Sequence, residues 1–269
     1  MTELTQVLGP AFDALVTLPG GGAPLPVDAH WSGFGGAHGG LMVAALGRAM
    51  QEAADRPLRA VHAELLGGVR PGGLEVAATV DRAGRSVSYA SAQGTQDGAL
   101  RLRATAVLGD GPSGPLGSGL VATDALLTAP TVPGPDALED WRVEGGPALP
   151  TVQFRPATRN RPTDGDHPEF HVWIAIAGDP APLDPWRLLT LCDAPAPGLF
   201  GLVREPFAIP TVELTAQLLP AAREPAGRWA LARMRTITSA EGWSVDDCEL
   251  WDEAGRPLLV SRQTRRILG

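Results

Sequence analysis

The chain has 269 residues, a formal net charge of −8, 44% hydrophobic and 19% charged residues, so it carries enough apolar material for a sizeable core. All 22 basic residues are arginine and none form a run, which argues against the phosphate neutralisation that nonspecific nucleic-acid binding requires. Two cysteines, no basic-then-apolar leader and no 18-residue apolar stretch predict a cytoplasmic chain without a disulfide framework, signal peptide or membrane span.

The first periodic segment is Gly39–Ala54, where Met42, Leu46, Ala49, Met50 and Ala53 repeat at the spacing of one helical face. It is predicted to stop at Asp55-Arg56-Pro57, because proline lacks the amide a helix needs. Strands follow. His62 to Leu66 is the first; Leu74, Val76, Ala78 and Val80 then alternate with Glu75, Ala77, Thr79 and Asp81. Residues 86–93 make the next, and Leu100, Leu102, Ala104 and Ala106 alternate with Arg101, Arg103 and Thr105. Short turns at Arg82-Ala83-Gly84-Arg85 and Gln96-Asp97-Gly98 make the last three antiparallel neighbours. Residues 109–167, rich in Pro and Gly, read as a linker or surface crossover. Beyond it, Phe170, Val172, Ile174 and Ile176 form a strand, and a helix begins with Asp184 as cap and Pro185 in its first position, running to Asp193. Four more strands are predicted near 211–219, 228–238, 243–251 and 257–267.

The two halves repeat. Gly84-Arg85-Ser86-Val87 returns as Gly242-Trp243-Ser244-Val245 (242 − 84 = 158), and the turn glycine Gly98 as Gly255 (255 − 98 = 157). His62-Ala63-Glu64-Leu65-Leu66 matches Thr215-Ala216-Gln217-Leu218-Leu219 (215 − 62 = 153), and Ala37-His38-Gly39 loosely matches Cys192-Asp193-Ala194 (192 − 37 = 155). A period of this length is a small domain and not a solenoid repeat. The expected organisation is an N-terminal unit at 1–110, a linker at 111–166 and a C-terminal unit at 167–269. One helix within a run of antiparallel strands needs a sheet curved enough to wrap it, which makes the fold class α+β.

Several landmarks in this order resemble a family. They are Trp31, Gly36-Ala37-His38-Gly39-Gly40, Arg70-Pro71-Gly72-Gly73, Gly84-Arg85-Ser86-Val87, Asp193, Pro210-Thr211-Val212-Glu213-Leu214 and Leu258-Leu259-Val260-Ser261-Arg262-Gln263. Together they resemble the acyl-CoA thioesterase II (TesB-like) family over roughly residues 28–108 and 168–268. The resemblance implies a tandem, or double, hot-dog fold: two antiparallel sheets, each wrapping a central helix. It also implies hydrolysis of acyl-CoA to free acid and coenzyme A, within lipid metabolism, by an Asp, a Thr or Ser and a Gln around a water. No metal, cofactor or covalent intermediate is implied, and a homodimer or larger homo-oligomer is. Those three residues fall on Asp193, Thr211 and Gln263, the last eight residues beyond the turn glycine Gly255. The chain departs from the best-known members after Thr211, where they carry an Asp-His pair followed by aromatic residues.

The chemistry needs such groups. A thioester carbonyl is electrophilic and a thiolate leaves readily, so an oriented water, a base and donors for the oxyanion suffice. In the roles the resemblance implies, Asp193 takes the proton and Thr211 and Gln263 hold the water. Amides at the entry of the first helix, around His38, Gly39 and Gly40, bind the substrate oxygen. Each has a plainer alternative: an exposed helix-end acid, a strand-favoured threonine, a solvated glutamine, a histidine packed at a helix entry. Cys192 is either a nucleophile or a buried structural thiol. His167 and His171 have the i, i+4 spacing of metal ligands, but Pro168 and strand alternation argue against a shared helical face. Arg155, Arg159 and Arg161 either meet CoA phosphates or decorate a solvated loop. Two rival functions stand beside hydrolysis: an enoyl-thioester hydratase or dehydratase, and a catalytically silent acyl-thioester-binding protein.

Overall fold

The computed structural model describes residues 11–33, 35–111, 127–142 and 150–268. In chain order the elements are α1 (Phe12–Val16), β1 (Leu25–Val27), β2 (Ser32–Gly33), β3 (Gly36–Ala37), α2 (Gly39–Ala54), β4 (Leu58–Leu65), β5 (Gly72–Ala83), β6 (Ser88–Gln96) and β7 (Ala99–Leu108). Then come β8 (Val152–Pro156), β9 (Glu169–Ile176), α3 (Pro185–Leu191), β10 (Thr211–Leu218), β11 (Ala230–Ala240), β12 (Trp243–Trp251) and β13 (Pro257–Arg266).

Eleven strands form one sheet in the order β1-β5-β6-β7-β4-β10-β13-β12-β11-β9-β8, all paired antiparallel, while β2 and β3 form a small ribbon apart. This corrects the expectation of two sheets. Strands β4 and β10 hydrogen-bond to each other, so the two half-sheets share a ladder and become one surface. Pairing these strands removes two edges that would otherwise template aggregation.

The order β5-β6-β7-β4 on one side of the seam is mirrored by β10-β13-β12-β11 on the other. His62 lies directly opposite Thr215, the residue 153 positions later, and their side chains are 2.9 Å apart. A residue can face its own repeat equivalent only on a local two-fold axis, so the axis passes between these two. Even the irregularities match. The β4–β7 ladder slips between Leu58 and Ala60, and the β10–β13 ladder slips between Thr211 and Glu213. Gly98 and Gly255, the turn glycines that the repeat relates, both take positive φ, and Asp97-Gly98 and Glu241-Gly242, at different hairpins, each place two successive residues there.

Helix α2 is the central pillar. Its buried side includes Leu41, Met42, Val43, Leu46 and Met50, which pack against β4 to β7. Each such side chain contributes about 1.5–3 kcal/mol through removal from water. The helix ends with Asp55 in the left-handed region and Pro57 two residues on, as its sequence predicts. Helix α3 is shorter than expected and packs mainly on α2. Asp184 caps it by accepting from the Arg187 amide at 2.7 Å, and Asp193 lies just past its end.

The segment read as a linker is partly structured. It contributes β8 at the sheet edge. Residues 127–142 also lie over a second apolar cluster built on Trp173, Trp229, Leu231 and Trp251. Indole donors tie this strap down, from Trp251 to the Leu127 carbonyl at 2.7 Å and from Trp173 to the Pro133 carbonyl at 2.8 Å.

Candidate active site

A cavity of about 720 Å³ opens where the entry of α2, the end of α3, the start of β10 and the end of β13 converge. Its walls are largely apolar, with Met42, Leu65, Val69, Leu102, Phe154 and Phe170 among them. His38, Gly39, Asp193, Thr211 and Arg265 supply polar groups at the wall.

Asp193, Thr211 and Gln263, which lie far apart in sequence, meet here. The Thr211 hydroxyl stands 3.0 Å from Asp193 Oδ1 and 3.1 Å from Gln263 Oε1. A hydroxyl has one proton, so it donates to one of these at a time, and the charged carboxylate is the stronger acceptor. Gln263 is fully buried, and its Nε2 donates to the Cys192 carbonyl at 3.0 Å, which turns Oε1 toward Thr211. The other carboxylate oxygen, Asp193 Oδ2, accepts from the Gly40 amide at 2.8 Å. That amide sits in the first turn of α2, where helix N–H groups have no intrahelical partner and the dipole favours an anion. The ladder slip between Thr211 and Glu213 lies beside this cluster, as bulges often do where a side chain must be re-aimed.

The α2 entry is divided differently from the sequence expectation. Gly40, expected with Gly39 to bind an oxyanion, donates its amide to the Asp193 carboxylate. Gly39 lines the cavity. His38 is buried, caps α2 by accepting the Leu41 amide on Nδ1 at 3.2 Å, and meets Trp31 edge-on. Burial holds its imidazole below the ordinary value, against a pull upward from Asp193. With Nδ1 accepting, the neutral ring carries its proton on Nε2, and this atom has no hydrogen-bond partner among the described residues.

The remaining candidates separate from the site. Cys192 is fully buried, its Sγ bonds to the Leu189 carbonyl at 3.3 Å, and burial pushes the thiol well above its usual range, the reverse of an activated nucleophile. His167 and His171 turn to Asp166 and Glu169 respectively and share no site. Among the described residues no three His, Cys, Asp or Glu side chains gather as a metal site, and no helix is long and apolar enough to cross a membrane. Arg155 is engaged by Asp140 and stacks over Trp229. Arg159 is exposed, and Arg161 pairs with Asp164 while lining the cavity.

Sequence reasoning missed Arg265. It is buried in the cavity wall, pairs across the ladder with Thr211, and approaches both Asp246 and Asp193. The two-fold relation exposes how unusual this corner is. Ladder register carries Thr211 onto Leu58, Gln263 onto Ala106, Arg265 onto Leu108 and Asp246 onto Ala90. All four counterparts are buried and apolar. The polar corner exists on one side of the axis, and the other side is core.

The similarities agree with this architecture. The chain is 29% identical over 269 residues to an uncharacterized protein of Mycobacterium tuberculosis, covering 90% of this chain and 89% of that one. A hot-dog-fold protein of unknown function from Alicyclobacillus acidocaldarius superposes with a TM-score of 0.83 at 22% identity, over 96% of this chain and 98% of that one. The acyl-CoA thioesterase II TesB2 of Mycobacterium marinum superposes with a TM-score of 0.62 at 16% identity, over 84% and 89%. At these identities the structures speak for the hot-dog fold alone. Family models named acyl-CoA thioesterase N-terminal domain and acyl-CoA thioesterase C-terminal domain match residues 27–109 and 123–267. With both halves matched in order, the chain belongs to the acyl-CoA thioesterase family, whose general chemistry is hydrolysis of acyl thioesters.

Proposed function

We propose that this protein is an acyl-CoA thioesterase that hydrolyses its substrate directly with a water held by Asp193, Thr211 and Gln263. The observation that carries the reading is the Thr211 hydroxyl within 3.0 and 3.1 Å of Asp193 and Gln263 at the wall of an apolar cavity. With the Thr211 proton donated to Asp193, Gln263 Oε1 and Asp193 are left as two acceptors for the two hydrogens of one water. Its lone pair then faces the thioester carbon. The water oxygen bonds to that carbon as one proton passes to Asp193, and the carbonyl oxygen becomes an oxyanion. The Gly39 amide and the His38 Nε2–H are the donors for that oxygen, with Gly40 acting through Asp193. Collapse breaks the C–S bond, the thiolate takes the proton from Asp193, and the second water proton is lost as the acid ionises.

The finer organisation follows the same reading. The units 1–110 and 167–269 act as a tandem of hot dogs joined through 111–166, with α2 and the shorter α3 as their helices. The apolar walls suit the acyl chain of an acyl-CoA, Arg142 and Arg161 in the cavity lining are basic residues available to the CoA end, and no metal or cofactor takes part. We assign the protein to a homodimer or larger homo-oligomer on the family's habit, and to the cytoplasm on its two free cysteines, which suit a reducing compartment. Thiol release from a panel of acyl-CoAs by wild type and Asp193→Asn tests the mechanism. A loss of about 10²–10⁴-fold is expected, since the amide keeps the contact with Gly40 but accepts no proton. Unchanged turnover by the variant, or acyl-CoA binding without turnover by the wild type, would reject hydrolysis by this water.

A further inference from the structure

Arg265 has an environment that the three-residue constellation does not explain. It stands two residues from Gln263 on β13, so both side chains point to the same face of the sheet. Its Nε lies 2.8 Å from Asp246 Oδ2, and its Nη2 lies 3.9 Å from Asp193 Oδ1, the same oxygen that Thr211 reaches. Both Arg265 and Asp193 have side chains that are 7% exposed, and that of Asp246 is 0% exposed. Neither Nε nor Nη2 meets hydrogen-bond geometry with a described residue, so the contact with Asp246 is an ion pair, and Arg265 lines the cavity. A guanidinium remains charged under all ordinary conditions, so burying one here requires anions around it. Asp246 answers that need and is itself tied by the Thr236 hydroxyl.

We infer that Arg265, clamped by Asp246, is a positioning residue for the hydrolysis: its guanidinium supplies the positive charge against which the Asp193 carboxylate is held in the cavity wall. This inference rests on the proposed function. Without the cation, Asp193 would be a buried anion supported only by the Gly40 amide and the Thr211 hydroxyl. The charged or titratable groups around it are His38 from the α2 entry, Arg265 from β13, Asp246 from β12 behind the guanidinium, Cys192 beside it in the chain and Cys248 from β12. Burial keeps His38 neutral and pushes both thiols up, so among these groups Arg265 is the permanent cation.

The test is the pH dependence of kcat/KM for acyl-CoA hydrolysis by wild type, Arg265→Met, Arg265→Gln and Arg265→Lys, with Asp193→Asn alongside. Both neutral variants are expected to move the acid limb upward by about one pH unit, giving about a tenfold deficit at the low-pH end that shrinks toward the alkaline plateau. Lysine keeps the charge and should restore most of the profile. A merely structural role would lower the rate evenly at every pH. An unmoved acid limb in the neutral variants, or a lysine variant displaced as far as they are, overturns the inference. If the methionine variant does not fold, the glutamine variant, which keeps a polar partner for Asp246, decides the question by the same shift. Full activity in Asp193→Asn would instead remove the hydrolysis reading beneath it.

Discussion

Replacing Gly40 with alanine sets two effects against each other. Alanine favours a helix over glycine by up to about 1 kcal/mol. A Cβ at this position, however, would lie 2.6 Å from the Thr190 carbonyl oxygen, 2.7 Å from that of Leu189 and 2.9 Å from Asp193 Cβ. Two of these three neighbours are backbone atoms of α3, which cannot rotate away. Restoring ordinary contact near 3.4 Å requires α2 and α3 to separate by roughly 0.8 Å. Overpacking of this kind costs about 1–3 kcal/mol, so the net loss of stability should be about 1–2 kcal/mol, or a fall in Tm of about 2–8 °C. The same shift stretches the Gly40–Asp193 bond from 2.8 Å to roughly 3.6 Å, past hydrogen-bonding range, and displaces the proposed base. A misplacement near 1 Å can cost about 10²-fold in rate. Thermal melts and thiol release from acyl-CoA check both numbers. Gly47→Ala on the same helix is the control, since the nearest atoms to its Cβ would be side-chain ones, the Leu58 and Leu189 methyl ends at 3.2 and 3.4 Å and the Trp186 ring edge at 3.6 Å. A Gly40→Ala protein with wild-type Tm and kcat/KM within threefold would refute the reasoning.

Three further outcomes are expected. Leu58→Ala should cost about 2–4 kcal/mol in denaturant unfolding with kcat within about threefold, while Thr211→Val at the two-fold-related position should cost little stability and most of kcat; the reverse pattern would contradict the assignment of the two sides. Burial depresses the His38 imidazole, so the unfolded chain binds a proton that the folded chain resists. The stability from keeping it neutral is fully present above about pH 6.5 and is lost as pH falls below that value toward the folded one. His38→Asn keeps a capping oxygen and should remove that part of the slope in unfolding free energy between pH 8 and 5; an identical slope would count against a buried neutral ring. Cys192 and Cys248 should stay unreactive toward Ellman's reagent in the native protein and both react after denaturation, so a fast native thiol would contradict their burial.

Much of the fold was legible where local signals agree. Helix α2 has a clean apolar face, a glycine entry and a proline exit, and it forms over the predicted residues. The hairpin turns at Asp97-Gly98 and Glu241-Gly242 are marked by their glycines. Strand β8 was not legible, because it sits in a Pro/Gly-rich segment and owes its pairing to the β9 edge. Duplication of the unit lets the two sheets pair side by side, but which strands form the seam was hidden, because alternation tells which face a residue takes and not which strand lies alongside. Gln263 was reached through family resemblance, since a glutamine between Arg262 and Thr264 looks solvated until the ladder turns it inward. Arg265 had a usable signal. The 157-residue offset that relates Gly98 to Gly255 also sets Arg265 opposite Leu108, an arginine where the repeat has a core leucine, and a position-by-position comparison of the halves would have flagged it.

The seam between β4 and β10 also governs what selection can adjust. Two identical subunits meeting along such a ladder would carry every substitution on both sides of the axis, so any polar change that improved a site would also burden its twin. Joining the halves in one polypeptide lifts that coupling. Positions 211, 263, 265 and 246 can hold a polar corner while 58, 106, 108 and 90 stay hydrocarbon and keep the shared sheet folded. A polar corner and a hydrocarbon core are thereby inherited at separate addresses within a single gene.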